Sequence, residues 1–297
     1  MCGLFGVIRP RRYPQHLRSG AASALLDLGY LAEERGVDSA GLATLHSRTL
    51  PTHSDLDRDL QETTIGRWRV VTVLGPFSER LLKQPRVCSN LRTARVVLGH
   101  TRWATQGSVV LSNASPMVIG DVIGSHNGDV TAPRDPTGCT DSAWLFGQLD
   151  RARSIVATVA VMRGVRGRAA LAWVRRAHPD LVFLGRTALS PLWTATDDGG
   201  ALWWASNPAW LREISRWRGL DLPDPMSLLE GTLMVLHSDA DQVTVTAHRR
   251  FVPTSRVRDE LNALDVTLRG FTLADRRLEL ARRNHQVQEQ PPASRIS

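Results

Sequence analysis

The chain has 297 residues, 42% of them hydrophobic, and its 37 Lys and Arg against 29 Asp and Glu give a formal net charge of +8. This length and apolar content suffice for a sizeable core in one or two domains, and they exclude a disordered, collagen-like or wholly coiled-coil chain. The longest apolar run, residues 155–162, is far shorter than the roughly 20 residues that a membrane span needs, so no membrane partner is expected.

The basic residues are almost all arginine. Only Lys83 is a lysine, and the 36 arginines are spread from Arg9 to Arg295 with acidic residues mixed among them. A nucleic-acid-binding surface clusters its positive charge on one face or tail. The spread indicates a coding bias, and we expect no nucleic-acid partner.

Cysteine and histidine usage indicates the compartment and the cofactor content. Three cysteines make no disulfide framework, and an odd count fits a reducing cytosol. No secretory signal precedes a cleavage site. The nine histidines lack a Cys/His ligand spacing. We therefore expect a cytoplasmic protein with no metal and no other cofactor.

The first half of the chain alternates predicted strands and helices. The apolar patterns predict strands at 4–8, 40–45, 67–74 and 96–99. They predict helices at 17–34, near 78–82 and from 141 to about 162. Gly120-Asp121 is typical of a two-residue turn, which predicts a hairpin between 118–119 and 122–123.

The second half is predicted to be rich in β-structure. Its candidate strands are 169–174, 181–184, 192–195, 201–205, 233–236 and 243–247. About ten short strands joined by hairpins, with three substantial helices inserted, favour α+β layers over a parallel βαβ sheet. After residue 251 charge dominates, so 252–281 is predicted to be a weakly amphipathic helical appendage and 284–297 a disordered tail.

The position of Cys2 is the first feature that suggests chemistry. It follows the initiator Met, and cysteine is small enough for that Met to be removed. A mature N-terminal cysteine carries a thiol and an α-amino group, with ordinary pKa values of about 8.5 and about 7.7–8.0. The amine can accept the thiol proton, directly or through one water, so the residue serves as its own base. By itself a Met-Cys start is a weak signal, because any protein can begin this way.

Several short segments follow one another in a specific order. They are 1–8 (MCGLFGVI), 35–41 (RGVDSAG), 99–107 (GHTRWATQG), 113–116 (NASP), 125–128 (SHNG) and the pair Thr140-Asp141. In order and spacing they resemble the glutaminase domain of class II glutamine amidotransferases, in particular the one at the N-terminus of glutamine–fructose-6-phosphate aminotransferase. The resemblance extends to about residue 251, through 190–192 (SPL) and 205–208 (ASNP).

The resemblance implies the catalytic groups of an amide hydrolase. Cys2 is then the nucleophile, and the side-chain amide of Asn127 and the backbone N–H of Gly128 form the oxyanion hole. Loss of one such donor typically costs 10²–10³ in rate. Gly128 also lets the backbone approach a substrate without a Cβ in the way.

The resemblance also implies the groups that hold the substrate. Arg102 binds the α-carboxylate of glutamine, a task suited to a planar forked donor, and Asp141 binds the α-ammonium. Trp103, Thr105 and Gln106 belong to a loop that closes over the bound glutamine. Gln106 departs from the family pattern, which has a histidine there, so affinity or loop closure can differ.

Each residue has a simpler reading when taken alone. Arg102 is one of many arginines, and Asn127-Gly128 is a common turn dipeptide. Asp141 suits a helix N-cap, and Trp103 could be a core aromatic. His126 fits a structural hydrogen bond better than a general base, since an α-amino group fills that role.

The fold implied by the family is the N-terminal-nucleophile αββα sandwich, two stacked antiparallel sheets covered by helices. Residues 1–251 form the glutaminase domain, and 252–297 are too few for an isomerase or synthase domain. The expected function is release of ammonia from glutamine for a separate synthase partner. Two alternatives stay open: a stand-alone amidohydrolase of a γ-glutamyl amide, and a non-catalytic glutamine-sensing module.

Overall fold

Two antiparallel sheets form the centre of the protein. The computed structural model describes residues 2–51, 53–56, 58–105, 107–133, 140–254 and 267–288. The strands of these ranges are β1 (Gly3–Ile8), β2 (Ser39–Leu45), β3 (His53–Leu56), β4 (Leu60–Ile65), β5 (Trp68–Leu74), β6 (Val96–Arg102), β7 (Met117–Ile119), β8 (Val122–Val130), β9 (Gly167–Arg175), β10 (His178–Arg186), β11 (Trp193–Thr196), β12 (Leu202–Ala205), β13 (Met226–Ser227), β14 (Thr232–Ser238) and β15 (Val243–Arg250).

Helices cover the outer face of each sheet. They are α1 (Leu17–Ala32), α2 (Phe77–Arg80), α3 (Pro85–Thr93), α4 (Asp141–Arg151), α5 (Ile155–Gly164), α6 (Pro208–Arg218) and α7 (Leu273–Gln288). The larger sheet has the strand order β13-β11-β12-β1-β6-β2-β5-β4-β3, and the smaller one β15-β14-β10-β9-β8-β7. All strand pairs described are antiparallel.

Three apolar cores separate the layers. The central core lies between the sheets and joins residues such as Leu4 and Leu98 of the larger sheet to Ala172 and Leu184 of the smaller one. A second core lies between the larger sheet and α1, α3 and α6. A third lies between the smaller sheet and α4 and α5. Alternate strand residues thus face opposite layers, and the order helix, sheet, sheet, helix confirms the predicted αββα sandwich.

The predicted strands are confirmed with small changes at their ends, and so is the hairpin of β7 and β8. The structure adds β3, β4 and β13, whose polar sequences lack a clear apolar alternation. It also adds α3 and α6, which both begin with Pro in the first turn, a common helix start that can be found in sequence.

The single long helix predicted over 141–162 is wrong, because the chain forms two helices. The side chain of Ser154 accepts a hydrogen bond from Ala157 N and caps α5. Arg175 donates to the backbone oxygens of Leu149 and Ala152 at the end of α4. A capped start and occupied terminal carbonyls fix the break between the two helices.

The C-terminal segment packs on the same core as the rest of the chain. Leu268 and Phe271 are buried in the core beneath α1 and α6, and Glu279 of α7 is buried against Arg186. Helix α7 runs to Gln288, so the disordered tail predicted from 284 is wrong for 284–288. Residues 255–266 and 289–297 lie outside the described residues.

Candidate active site

Cys2 lies directly before β1, at the start of a central strand of the larger sheet. Its backbone nitrogen donates to Asn127 Oδ1 at 3.2 Å, and its Sγ lies 3.8 Å from the backbone oxygen of Trp103. Burial raises the pKa of the Cys2 thiol, and the charge of Arg102 acts in the opposite direction. The thiol is therefore mostly protonated at neutral pH, and a nucleophile at this position needs a base beside it.

Asn127 and Gly128 are neighbours on β8 of the smaller sheet. Asn127 is fully buried, and its Nδ2 donates to Ser206 Oγ at 3.3 Å. A Cβ on Gly128 would lie 1.9 Å from the backbone oxygen of Arg168 on the adjacent strand. Only glycine fits there, and Gly128 lines the same cleft as Cys2.

Two carboxylates hold the loop that follows β6. Ala104 N donates to Asp38 Oδ2 at 2.7 Å, and Thr105 Oγ1 donates to Asp129 Oδ1 at 2.5 Å. Asp129 also accepts from Arg168 Nε at 2.9 Å. Partial burial raises the pKa of Asp129, but the hydrogen bonds from Thr105 and Arg168 outweigh it and leave the pKa below its ordinary value. The loop is thus anchored through hydrogen bonds to two carboxyl groups, those of Asp38 and Asp129.

Trp103 is an exposed aromatic residue of this loop. Its side chain is 43% exposed, so the alternative of a core aromatic is wrong. The guanidinium of Arg269, from the C-terminal segment, lies 4.8 Å from its ring centroid. That segment is held by the buried Leu268 and by a hydrogen bond of 2.7 Å from Arg35 Nη2 to Thr267 O. The C-terminal segment therefore contacts the loop beside Cys2.

Arg102 and Asp141 bring opposite charges to the same cleft as the thiol. Arg102 ends β6, is 6% exposed, and donates from Nη1 to Ser108 O at 3.2 Å. Asp141 begins α4, where its Oδ2 accepts from Val130 N at 3.0 Å and its Oδ1 from Ser142 N at 2.8 Å. Both side chains are held in place before any ligand binds, which suits recognition of a zwitterion.

Two buried histidines line the cleft without a charge. His100 Nε2 lies 3.1 Å from the backbone oxygen of His126, and His126 Nδ1 lies 2.9 Å from Ser142 Oγ. Burial lowers the pKa of His100 to about 3 and also lowers the pKa of His126. Both imidazoles are neutral at pH 7, and each makes a hydrogen bond within the protein.

The structure brings most of the predicted site residues to one narrow cleft. Its predicted lining residues are Cys2, Arg102, Trp103, Thr105, Gly128 and Asp141. Asn127 is not among these lining residues, but its side-chain oxygen accepts a hydrogen bond from Cys2 N. Gln106 lies outside the described residues. Six predicted positions, drawn from distant parts of the chain, thus face one small volume.

Other residues of the site were not predicted as such. His100, Asn113, Ser115, His126, Thr140 and Ser142 also line the cleft. Most of them lie inside or beside the short segments on which the resemblance rests, so their position in these segments could have identified them as site residues. Thr140, and not Asp141, is the N-cap of α4, since its Oγ1 accepts from Ala143 N at 3.2 Å. Asp129 had no sequence signal, because its partner Arg168 faces it only through the register of β8 and β9.

The described ranges contain neither a metal-ligand cluster nor a membrane-spanning helix. No group of three or more His, Cys, Asp or Glu in this part of the chain is placed to hold a metal ion. None of the helices described here has both the length and the apolarity needed to span a bilayer.

The fold is shared with solved amidotransferases, although no protein-family model matches the chain. Glutamine phosphoribosylpyrophosphate amidotransferase from B. subtilis, complexed with ADP and GMP, superposes with a TM-score of 0.55 and 15% identity. The match covers 84% of this chain and 49% of that one. A structure described as the allosteric regulatory enzyme of purine biosynthesis has a TM-score of 0.56. The αββα architecture is therefore shared with these two solved proteins.

Sequence similarity identifies the relatives, which are enzymes. The chain is homologous to glutamine–fructose-6-phosphate aminotransferase (isomerizing), and the protein from Zymomonas mobilis is 28% identical to it over 215 residues. That match covers 67% of this chain and 30% of the relative. The chain thus spans about a third of the length of the curated relative, and the predicted resemblance to class II glutamine amidotransferases is confirmed.

Proposed function

We propose that this protein hydrolyses the side-chain amide of glutamine through a thioester on Cys2, releasing glutamate and ammonia. The observation that supports this most directly is the contact of Cys2 N with Asn127 Oδ1, beside Gly128 and in the same cleft as Arg102 and Asp141. A thiol, a neutral amide and two opposite charges are the groups that amide hydrolysis of a zwitterion requires.

The reaction begins once Met1 has been removed. The α-amino nitrogen of Cys2 takes the thiol proton, and Sγ attacks the side-chain amide carbon of glutamine. The oxyanion of the tetrahedral intermediate accepts hydrogen bonds from Asn127 Nδ2 and from the backbone N–H of Gly128. The C–N bond then breaks, and the Cys2 ammonium gives its proton to the departing ammonia. Water attacks the thioester, releases glutamate and restores the thiol.

The charged residues of the cleft hold the substrate in this proposal. Arg102 binds the α-carboxylate and Asp141 the α-ammonium, while Trp103, Thr105 and Gln106 close over the bound glutamine and exclude water. His100 and His126 do not act as acids, because burial keeps both imidazoles neutral at pH 7. The proton transfer is therefore assigned to the α-amine of Cys2.

The ammonia released here is proposed to serve a synthase partner. The curated relative is named as an aminotransferase for fructose-6-phosphate, and the region matched covers 30% of its length. We propose that residues 1–251 carry the glutaminase chemistry in the cytoplasm and that the amine acceptor binds to a separate synthase site.

The test uses the full chain with Met1 removed, verified by intact mass. We expect glutamate release from glutamine and a covalent adduct of one glutamine-analogue electrophile at Cys2. Cys2→Ala should reduce glutamate release by more than about 10³-fold. Cys88→Ala is the matched control, because Cys88 lies on α3 and does not line the cleft, and it should leave both readouts unchanged.

Other results would identify the alternatives. Faster hydrolysis of a larger γ-glutamyl amide than of glutamine would replace glutamine with that amide as substrate. Glutamine binding by calorimetry with no turnover, unchanged in Cys2→Ala, would indicate a sensing module. A retained Met1 would block the α-amine within a peptide bond and contradict both catalytic proposals.

A further inference from the structure

A second pocket lies at the end of the larger sheet opposite Cys2. Its lining comes from the residues after β1 and β2, those before β5 and β6, and the start of α1, and its volume is about 310 Å³. β1 leads from Cys2 to Arg9, and β6 leads from Arg95 to Arg102. Seven residues at about 3.3 Å each separate the two sites by roughly 23 Å. The second pocket is therefore distinct from the glutamine cleft.

Arginine dominates this lining. Six of its eleven residues are arginines, namely Arg9, Arg11, Arg18, Arg67, Arg92 and Arg95. Across the whole chain arginine is about one residue in eight, with 36 in 297. The fold thus concentrates arginines in one pocket, although arginines occur along the whole sequence. We call these six residues the arginine pocket.

Little negative charge balances the arginine pocket. In the part of the chain described, Asp180 is the one carboxylate that pairs with its arginines, contacting Arg95 and, at 3.7 Å, Arg11. Arg67 Nε and Arg18 Nε donate to the uncharged backbone oxygens of His46 and Tyr13, and Arg92 has no ionic partner in the described ranges. Asp197, which accepts a hydrogen bond from the Tyr13 hydroxyl, also stabilises the charge of Arg9. Six guanidinium groups therefore face two carboxylates, and the surplus positive charge favours an anion.

Arg9 is the buried base of the arginine pocket. It is 2% exposed, and its Nη1 donates to Leu91 O and Ala94 O, both at 2.8 Å. Its Nε and Nη2 have no hydrogen-bond partner among the described residues. Burial lowers the pKa of Arg9 to about 10, which leaves it charged at neutral pH. The charge of Asp197 and the Tyr13 ring, 5.4 Å from the guanidinium carbon, offset only part of the cost of burying Arg9. An anion seated against its neighbours would reduce the remaining cost.

We propose that the arginine pocket binds a phosphorylated small molecule, with Arg67, Arg92 and Arg95 as its direct ligands. A phosphate group carries about −1.5 to −2 charges and three acceptor oxygens, which match several guanidinium forks better than a single carboxylate does. A volume of about 310 Å³ lies at the lower end of the range of small-molecule sites, and it leaves room beyond one phosphate group.

The test is calorimetric titration of the full-length protein with inorganic pyrophosphate at constant ionic strength. We expect saturable one-to-one binding, weakened at least tenfold in the double variant Arg67→Ala/Arg92→Ala. Arg92 is exposed and Arg67 half-buried, so the fold should tolerate these changes, and a thermal melt verifies it. Arg153→Ala is the matched control, since Arg153 is 67% exposed and lies outside the arginine pocket, and it should bind as the unchanged protein does.

Three further results decide the proposal. Citrate, a polycarboxylate of similar charge, should bind at least tenfold more weakly than pyrophosphate, and equal affinity would overturn the assignment to phosphate. Arg102→Ala should bind pyrophosphate unchanged, and loss of binding there would move the anion to the glutamine cleft. Absence of saturable heat, or unchanged affinity in the double variant, would overturn the site itself.

Discussion

The backbone nitrogen of Cys2 donates to the side-chain oxygen of Asn127 at 3.2 Å. This hydrogen bond joins the residue before β1 of the larger sheet to β8 of the smaller sheet. The two residues are 125 positions apart in sequence. The same amide uses its Nδ2 to donate to Ser206 Oγ, which also accepts from Leu4 N at 3.0 Å. Asn127 is thereby oriented from both ends, with its second Nδ2 hydrogen left for a ligand.

Replacing Asn127 tests its proposed role in the oxyanion hole. We expect Asn127→Ala to lower kcat for glutamate release by 10²–10³, because one preorganised donor is lost, with a smaller change in KM. Asn90→Ala, which removes an amide from α3 outside the cleft, is the control and should keep normal kinetics. A decrease of less than tenfold in Asn127→Ala would contradict the assignment.

The buried His100 should make stability depend on pH. Burial lowers its pKa to about 3 in the folded state, while the ordinary value in the unfolded chain is about 6.5. Between these values the unfolded chain binds the extra proton, so the free energy of unfolding falls as the pH falls from 6.5 towards 3, by up to about 1.4 kcal/mol per pH unit. Urea unfolding at pH 7, 6 and 5 measures this slope.

His100→Gln isolates that contribution from the carboxylates that titrate in the same range. The variant should show a shallower pH dependence than the unchanged protein, even if its stability at pH 7 is lower. His178→Gln, which removes an exposed imidazole, is the matched control and should keep the original slope. Identical slopes in all three proteins would show that His100 is not held neutral by burial.

Arg269 should influence the loop beside Cys2 through Trp103. A cation–π contact at an exposed site contributes about 0.5–1 kcal/mol, and the guanidinium lies 4.8 Å from the Trp103 ring centroid. We expect Arg269→Ala to raise KM for glutamine about two- to fivefold, with kcat nearly unchanged, since the loop loses support but no reacting group is lost. Arg277→Ala, an exposed arginine of α7, should change neither constant. Equal KM values in both variants would contradict the coupling.

The buried pair of Arg186 and Glu279 should make α7 part of the folding unit. Both side chains are at most 3% exposed, and Ser227 Oγ donates to Glu279 Oε2 at 3.2 Å. Removing one partner of a buried ion pair costs about 3–5 kcal/mol. Arg186 keeps a second carboxylate, Glu230, at 3.7 Å, so Glu279→Ala should lower the free energy of urea unfolding by an amount at the lower end of this range, about 3 kcal/mol. Glu213→Ala, which removes a more exposed pair with Arg216, should cost less than about 1 kcal/mol. Similar losses in the two variants would indicate that α7 is only loosely attached.

Local patterns predicted much of the fold and several residues of the site. A short run of mostly apolar residues is sufficient to find strands such as β1, β2 and β5, whose residues are largely buried. This signal misses β3, β4 and β13, because their sequences are mainly polar or very short. The break between α4 and α5 was missed because two short helices in succession resemble one long apolar pattern, and the Ser154 cap is a single residue.

The sequence by itself determined which chemical groups are available and in what order. Cys2 at the second position, the segment around Arg102 and the pair Asn127-Gly128 all depend on short stretches of chain, and their resemblance to one family needs no coordinates. Tertiary structure alone decided which distant residues meet. Asp129 faces Arg168 through strand register, and Arg269 lies over Trp103 after a separation of more than 160 positions. The arginine pocket also depends on tertiary structure. Strand register brings its arginines together from separate segments, and no local sequence pattern predicts their contact.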